Sequence, residues 1–167
     1  MSNSYDDVMA RRSDIMRQAL ALDYDSFQHG DLVFDYDALM SSTGYRLDDV
    51  ARIQAETKVG HTPLYELHRL TEAVREIAGP GKGARILLKD EAANASGSFK
   101  ARRASLSAHE AQVKGFAGMV TATSGNYGAA VASQAAQRGL ACIVIQEIYD
   151  SQHVGQPEIV EKSRACE

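Results

Sequence analysis

The chain has 167 residues, of which 44% are apolar and 24% are charged, a composition typical of a globular protein with a core. The formal net charge is −4 and no basic block is present, which argues against nucleic-acid binding and against a membrane-surface patch. No apolar run is long enough to span a bilayer, and the N-terminus lacks the features of a secretory signal. The two cysteines and five histidines show no metal-ligand spacing, so we expect no metal site and a cytoplasmic location.

The first sixty residues are polar and helical in pattern. Apolar residues recur at helical spacing in "SYDDVMARRSDIMRQAL" (4–20) and "RLDDVARIQAE" (46–56), whereas the segment 23–39 has no clear period. We therefore predict a helical N-terminal extension over residues 1–59 that packs on another part of the protein.

Strands and helices alternate from Gly60 onward. An extended segment, "GHTPLYEL" (60–67), comes first, because Pro63 disfavours helix at the residue before it. The predicted strands are "RILLKDE" (85–91), "GMVTATS" (118–124) and "LACIVIQE" (140–147). The predicted helices cover 71–78, 100–115 and 126–138, and a last one is opened by Pro157.

This alternation predicts right-handed βαβ units, and hence an α/β domain over 60–167 with a parallel sheet and flanking helices. The continuous apolar runs predict strands that are covered on both faces. Because the last helix has no strand after it, we expect the chain to be the front portion of a longer polypeptide.

The stretch "NASGSFKARRASLSAHEA" (94–111) places Lys100 at the junction between a turn of small residues and a helix. The helix macrodipole disfavours a cation at this end. Lys100 is therefore either a solvated surface residue with a small penalty, or its amine is neutral or covalently occupied. Taken alone, the surface role is the commoner one.

A second corner lies in "TATSGNYGAAVASQAAQRG" (121–139), where an apolar strand ends in T-S-G-N and a helix of small residues begins. Ligands bind at the carboxyl ends of parallel strands, beside free N–H groups at helix N-termini. Gly125 and Gly128 would admit a flat ligand, and Asn126 can donate and accept hydrogen bonds. An SGN turn is also an ordinary helix cap. The two corners in this order nevertheless predict that Lys100 and Asn126 converge on one cleft.

The pair "SGSFKARRA" and "TSGNYGAAVA" resembles the two motifs of fold-type II pyridoxal-phosphate (PLP) enzymes, the family of threonine synthase, tryptophan synthase β and cysteine synthase. The resemblance implies that fold, in part, with PLP as the cofactor. It implies that Lys100 forms the internal aldimine and acts as the general base, and that Asn126 contacts the ring hydroxyl. Further candidates for the cofactor or the substrate carboxylate are Ser98, Ser124, Gly125 and Tyr127. A covalent role would explain the position of Lys100.

Longer stretches, among them "GHTPLYEL" and "VGQPEIVEKSRACE", resemble one branch of this family, the β subunits of thiolases that cleave 2-amino-4-oxopentanoate with coenzyme A in ornithine degradation. This implies a PLP-dependent acyltransferase that gives acetyl-CoA and alanine. It also implies a small α subunit as partner and a homo-oligomer. Two alternatives remain open: another type II lyase or synthase, such as a threonine synthase relative, and a non-catalytic fragment of the fold.

Two features depart from the family pattern. Relatives commonly carry Asp directly after the lysine, where this chain has Ala101, so we expect Arg102 or Arg103 to lack that partner. The family's glycine-rich phosphate loop does not occur before Glu167, so we expect this chain to hold half of a cofactor site. We predict a solvated or salt-bridged role for the carboxylates at 90 and 91, and a helix-surface role for the two arginines.

Overall fold

The computed structural model describes residues 4–30, 32–149 and 151–166. The helices are α1 (Tyr5–Ala10), α2 (Arg12–Leu20), α3 (Tyr36–Ser42), α4 (Leu47–Glu56), α5 (His68–Ala78), α6 (Lys100–Val113), α7 (Asn126–Gln137) and α8 (Pro157–Arg164). The strands are β1 (Gln28–His29), β2 (Val33–Phe34), β3 (Leu64–Glu66), β4 (Leu87–Lys89), β5 (Gly118–Thr123) and β6 (Ala141–Gln146). Within these residues, no helix combines the length and the apolar character that crossing a membrane requires.

The chain divides into two compact units, one ending at Arg46 and the other beginning at Leu47. In the first unit, the stretch 4–20 with helical spacing forms two helices, because Arg11 leaves the helical conformation at φ −103° and ψ 7°. The segment without a period forms the short antiparallel hairpin β1–β2, in which Phe34 stacks on Tyr24 with ring centroids 4.3 Å apart. None of the described residues of this unit is buried. The predicted domain boundary between residues 59 and 60 stays a prediction.

The second unit is built around β5, α7 and β6. The two strands pair in parallel, from Gly118 opposite Ala141 to Thr123 opposite Gln146, and α7 connects them. Small side chains let α7 lie close to α6, and the core between them is Ala104, Ala130 and Val131. This βαβ unit is the arrangement that the alternating pattern predicts.

Two details of the sheet differ from the prediction. Strand β4 pairs antiparallel with β3, so it does not extend the parallel sheet. One face of the β5–β6 pair is also open: Val120, Ile143 and Ile145 are 69%, 60% and 58% exposed. The expectation that both faces are covered is therefore wrong for the part of the chain that the structure describes. The reason is that a single crossover helix, α7, covers one face only, and residues in a strand alternate between faces.

Candidate functional site

The turn before α6 brings Lys100 to the start of that helix. After β4, a short 3-10 turn begins at Asp90, whose carboxylate accepts a hydrogen bond from the N–H of Ala92 at 3.1 Å. The chain then turns at Gly97, which donates to the carbonyl of Asn94 at 2.7 Å with φ +70°, a conformation that favours glycine. Helix α6 starts at Lys100 without a side-chain cap. Lys100 thus occupies the position at the helix start that the sequence predicts.

The amine of Lys100 lies over an aromatic ring. Its Nζ is 4.6 Å from the ring centroid of Phe99, and the lysine is half-buried. Within the described residues, no carboxylate forms an ion pair with it. The cation–π contact is weak at an exposed site. The amine is therefore not held by a carboxylate among the described residues.

Two hydroxyl groups near Lys100 are buried without a hydrogen-bond partner. Ser98 is only 7% exposed, and within the described residues neither its Oγ nor that of Ser96 has a partner. A buried polar group left unpaired costs about 1–3 kcal/mol. Two such hydroxyls beside a reactive amine are what a polar ligand would satisfy, so the residues present fit a bound cofactor. Ser98 was predicted from the sequence. Ser96 was not, although the S-G-S motif contains both.

Glu91 forms an ion pair with Arg102 on α6. Arg102 donates from Nε and Nη2 to the two carboxylate oxygens, each at 2.8 Å. The hydroxyl of Thr62 and the amide of Asn94 donate to the same carboxylate at 2.8 Å and 3.0 Å. Hydrogen bonding by Arg102 is the main cause that lowers the pKa of Glu91 to about 2; burial acts in the opposite direction. Glu91 is salt-bridged, as predicted, whereas Arg102 is not a simple surface residue.

Ala101, directly before Arg102, offers that arginine no carboxylate. Its side chain is buried, with 1% exposed, so an aspartate at this position would be buried as well. Arg102 therefore finds its carboxylate at Glu91, eleven residues earlier in the chain. Arg102 thus has a carboxylate partner outside α6, and the partner expected from an aspartate at position 101 stays a prediction.

The second corner is closed by the side chain of Thr123. Its hydroxyl accepts from the N–H of Gly125 at 3.0 Å and donates to the carbonyl of the same residue at 3.3 Å. Helix α7 begins at Asn126 without a side-chain cap. Ser124 and Asn126 are exposed, and Gly125 is half-buried. The Asn126 amide and the first N–H groups of α7 are therefore accessible to a ligand.

The two glycines of this corner serve different purposes. A Cβ at Gly125 would meet only the Nζ of Lys162, at 3.9 Å, so the space in front of it is open. A Cβ at Gly128 would lie 2.5 Å from Cγ2 of Thr123 and 2.7 Å from Cγ1 of Val144. Gly128 thus permits packing of α7 on the sheet, and the expectation that it admits a ligand is wrong.

Lys162, on α8, is a charged group at this corner that the sequence pattern did not reveal. Its amine approaches Gly125, at the N-terminal end of α7, where a helix dipole favours an anion. No local motif marks this lysine, because the contact depends on how α8 packs against α7.

A side-chain contact links the first turns of α6 and α7. The guanidinium of Arg103 lies 4.8 Å from the ring centroid of Tyr127. Arg103 is one helical turn after Lys100, and Tyr127 directly follows Asn126. Within the described residues, no hydrogen bond joins Lys100 to Asn126. Their convergence on one ligand stays a prediction, which this contact supports.

Two surface concavities lie away from these residues. One, of about 670 Å³, is lined by Arg75, Glu76 and residues 79–83. Another, of about 430 Å³, is lined in part by Cys142 and Cys166. Cys142 packs against the core cluster, and burial raises the pKa of its thiol. Neither concavity includes Lys100 or Asn126.

Comparison with protein families matches residues 55–164 to the family described as pyridoxal-phosphate dependent enzymes. The chain belongs to this family. Both corners lie inside the matched segment, as do Ser96 and Lys162. Membership confirms the predicted fold type II class, with PLP as the cofactor of the family.

The curated relatives include two proteins named 2-amino-4-ketopentanoate thiolase beta subunit. One, from an unknown prokaryotic organism, is 59% identical over 98% of this chain, and that from Acetoanaerobium sticklandii is 57% identical over 98%. A threonine synthase from Halalkalibacterium halodurans is 35% identical over 52% of this chain. The matched segment makes up 22% of the length of that threonine synthase. The chain spans 35% of the length of the two thiolase subunits.

Proposed function

We propose that this chain is the N-terminal portion of a PLP-dependent thiolase β subunit that cleaves 2-amino-4-oxopentanoate with coenzyme A. The identity of 57–59% over nearly the whole chain carries the proposal, since it covers both corners and the first unit as well. The two named relatives carry the synonym 2-amino-4-ketopentanoate in their names.

The residues of the two corners are suited to hold the cofactor. Lys100 would bind it covalently, and the buried hydroxyls of Ser96 and Ser98 would find the polar partner that they lack. At the second corner, the open face of Gly125 and the exposed Asn126 would receive the ring and its hydroxyl. When bound, PLP supplies an electron-withdrawing ring that stabilises negative charge next to the carbon that bears the substrate's amino group.

Ser124 and Lys162 are candidates for a carboxylate or phosphate at the same corner. Ser124 is exposed at the end of β5, and the amine of Lys162 is directed to the N-terminal end of α7. A cation and free N–H groups together favour an anion.

In the proposed reaction, the C3–C4 bond of the substrate breaks and the acetyl group is transferred to the sulfur of coenzyme A. Carbon C3 gains a proton, so the products are acetyl-CoA and alanine and all atoms balance. Lys100 Nζ would take the proton from the amino-bearing carbon, which requires its neutral form. That no carboxylate in the described residues pairs with this amine supports the role.

The proposed partners follow from the names of the relatives. A β subunit implies a second subunit, and we propose a small α subunit, a homo-oligomer of the β subunit, and coenzyme A as the co-substrate. We also propose the cytoplasm as the compartment, since neither Cys142 nor Cys166 forms a disulfide within the described residues.

The test is acetyl-CoA formation from 2-amino-4-oxopentanoate. The chain is assayed alone and joined to the part of the A. sticklandii relative that it does not match, in each case with that relative's partner subunit and PLP. We expect equimolar acetyl-CoA and alanine from the joined protein, lost in its Lys100→Ala variant. A protein that binds PLP at Lys100 but forms no acetyl-CoA would contradict the thiolase proposal and favour another type II reaction, for which the distant threonine synthase match is the present support.

A further inference from the structure

We propose that Glu91 and Arg102 are positioning residues that clamp the loop carrying Lys100 and keep its amine unpaired for reaction with the cofactor aldehyde. The inference rests on the proposed use of PLP at Lys100, and it concerns residues that do not themselves touch the cofactor. Three features of the structure lead to it: the charge of the first turn of α6, the saturation of the Glu91 carboxylate, and the points at which it holds the loop.

The first turn of α6 has an unfavourable charge. Lys100, Arg102 and Arg103 are all cations, while this turn contains no acidic residue and has no side-chain cap. Positive charges at a helix N-terminus interact unfavourably with the macrodipole. Glu91 supplies the missing negative charge from outside the helix, through its pair with Arg102.

The carboxylate of Glu91 is saturated with hydrogen bonds. Oε1 accepts from Arg102 and Thr62, and Oε2 accepts from Arg102 and Asn94, at distances between 2.8 Å and 3.0 Å. An ionised carboxylate offers about four acceptor positions. Because all four are occupied, this carboxylate has no further position to offer the Lys100 amine.

The same carboxylate holds both ends of the loop that carries Lys100. Asn94 precedes the loop and Arg102 follows it, and Lys100 lies between them. Each end is also tied to a further segment: Asn94 accepts from the N–H of Gly60 at 3.0 Å, and Gln54 donates to the carbonyl of Arg102 at 3.3 Å. With Asn94 4% exposed and Gln54 8% exposed, these ties are shielded from water.

Loss of the clamp has two separable consequences. Glu91→Gln removes the charge that holds Arg102, so the loop ends are held less firmly. Arg102→Met leaves the Glu91 charge without its main partner and releases the end of the loop that follows Lys100. In both variants, as long as the fold persists, Lys100 becomes less reactive towards an aldehyde.

The test measures labelling of individual lysines by PLP. The 167-residue chain is incubated with PLP, reduced with borohydride and digested, and the adduct at Lys100 is quantified by mass spectrometry against that at Lys82, an exposed loop residue. We expect the Lys100 to Lys82 ratio to fall roughly tenfold or more in Glu91→Gln and Arg102→Met, because small misplacements of a reacting group have large effects. Arg102→Lys keeps the charge but not the bidentate geometry, and should give an intermediate ratio.

Glu66→Gln is the matched control. It breaks another Arg–Glu pair, between Arg85 and Glu66 at 2.6 Å, beside the antiparallel β3–β4 pair, and should leave the ratio unchanged. Circular dichroism reports the melting temperature of each variant. If Glu91→Gln and Arg102→Met do not fold, the Lys100 to Lys82 ratio in Arg102→Lys provides the test. Equal ratios in the wild type and in the folded clamp variants, even with lower melting temperatures, would overturn the inference. A wild type with no adduct at Lys100 would instead overturn the proposed function, and the inference with it.

Discussion

The Lys100 corner and the Asn126 corner are both turns between a strand and a helix, yet they are held together by different forces. At the Lys100 corner, Glu91 and Arg102 form a charged, hydrogen-bonded network across four segments of the chain. At the Asn126 corner, small side chains and Gly128 let α7 lie against β5 and β6. The comparison indicates that the first corner is sensitive to charge and pH, and the second to side-chain volume.

The largest expected effect on stability comes from a larger side chain at the second corner. Gly128→Val would place a Cβ 2.5 Å from Thr123 and 2.7 Å from Val144, with two methyl groups beyond it. We expect the free energy of unfolding to fall by about 3 kcal/mol or more, measured by urea denaturation. Gly125→Ala is the control, because its Cβ meets open space and its φ of −166° suits any residue. If both substitutions lower the free energy of unfolding equally, the packing role assigned to Gly128 is wrong.

Removal of the arginine at the first corner comes next. Arg102→Met leaves the partly buried carboxylate of Glu91 without its main partner, and we expect a loss of about 3 kcal/mol in the same measurement at pH 7. Glu91→Gln should lower the free energy of unfolding by less, because the glutamine amide keeps some of the hydrogen bonds and the exposed side of Arg102 can bind water. If the double variant loses as much free energy of unfolding as the two single variants together, these side chains do not interact.

Low pH should destabilise the first corner but not the second. The pKa of Glu91 is lowered from 4.5 to about 2 in the fold, so its stabilising contribution is complete above pH 4.5 and is lost as the pH falls from 4.5 to 2. We expect about 3 kcal/mol of stability to be lost over this range through Glu91. Unfolding measured across this range should depend less on pH in Glu91→Gln than in Gly125→Ala. An unchanged pH dependence in Glu91→Gln would contradict the assignment.

The smallest expected effect on stability is from the reactive residue itself. Lys100→Ala removes a cation from the N-terminal end of α6 and introduces a better helix former, so the free energy of unfolding should rise by less than about 1 kcal/mol. A calorimetric melting curve measures this. A large loss of stability would show that Lys100 has a structural role, in conflict with the reactive role proposed for its amine.

Much of the site was predictable from the sequence because its geometry is local. The starts of α6 at Lys100 and of α7 at Asn126 follow from short runs of small turn-forming residues. The parallel βαβ unit follows from the alternation of apolar runs and helical patterns.

The features of the fold and the site that the sequence did not predict depend on which distant segments contact each other, and local patterns do not contain that information. The pairing of Glu91 with Arg102 and the approach of Lys162 to Gly125 each join separate elements. The same is true of β4, whose antiparallel partner β3 lies before α5 in the chain. The role of Gly128 was mistaken for the same reason, since its contacts with Val144 appear only once β6 is in place.

The central claim is that Lys100 and the Asn126 corner form one PLP site, and a visible-absorption titration with PLP tests it most directly. The wild type is compared with Lys100→Ala and with Asn126→Ala, which changes the opposite corner at an exposed position. We expect a visible band of bound cofactor in the wild type, its loss in Lys100→Ala, and a shifted band with weaker binding in Asn126→Ala. A band of the same position and affinity in all three proteins would contradict the claim.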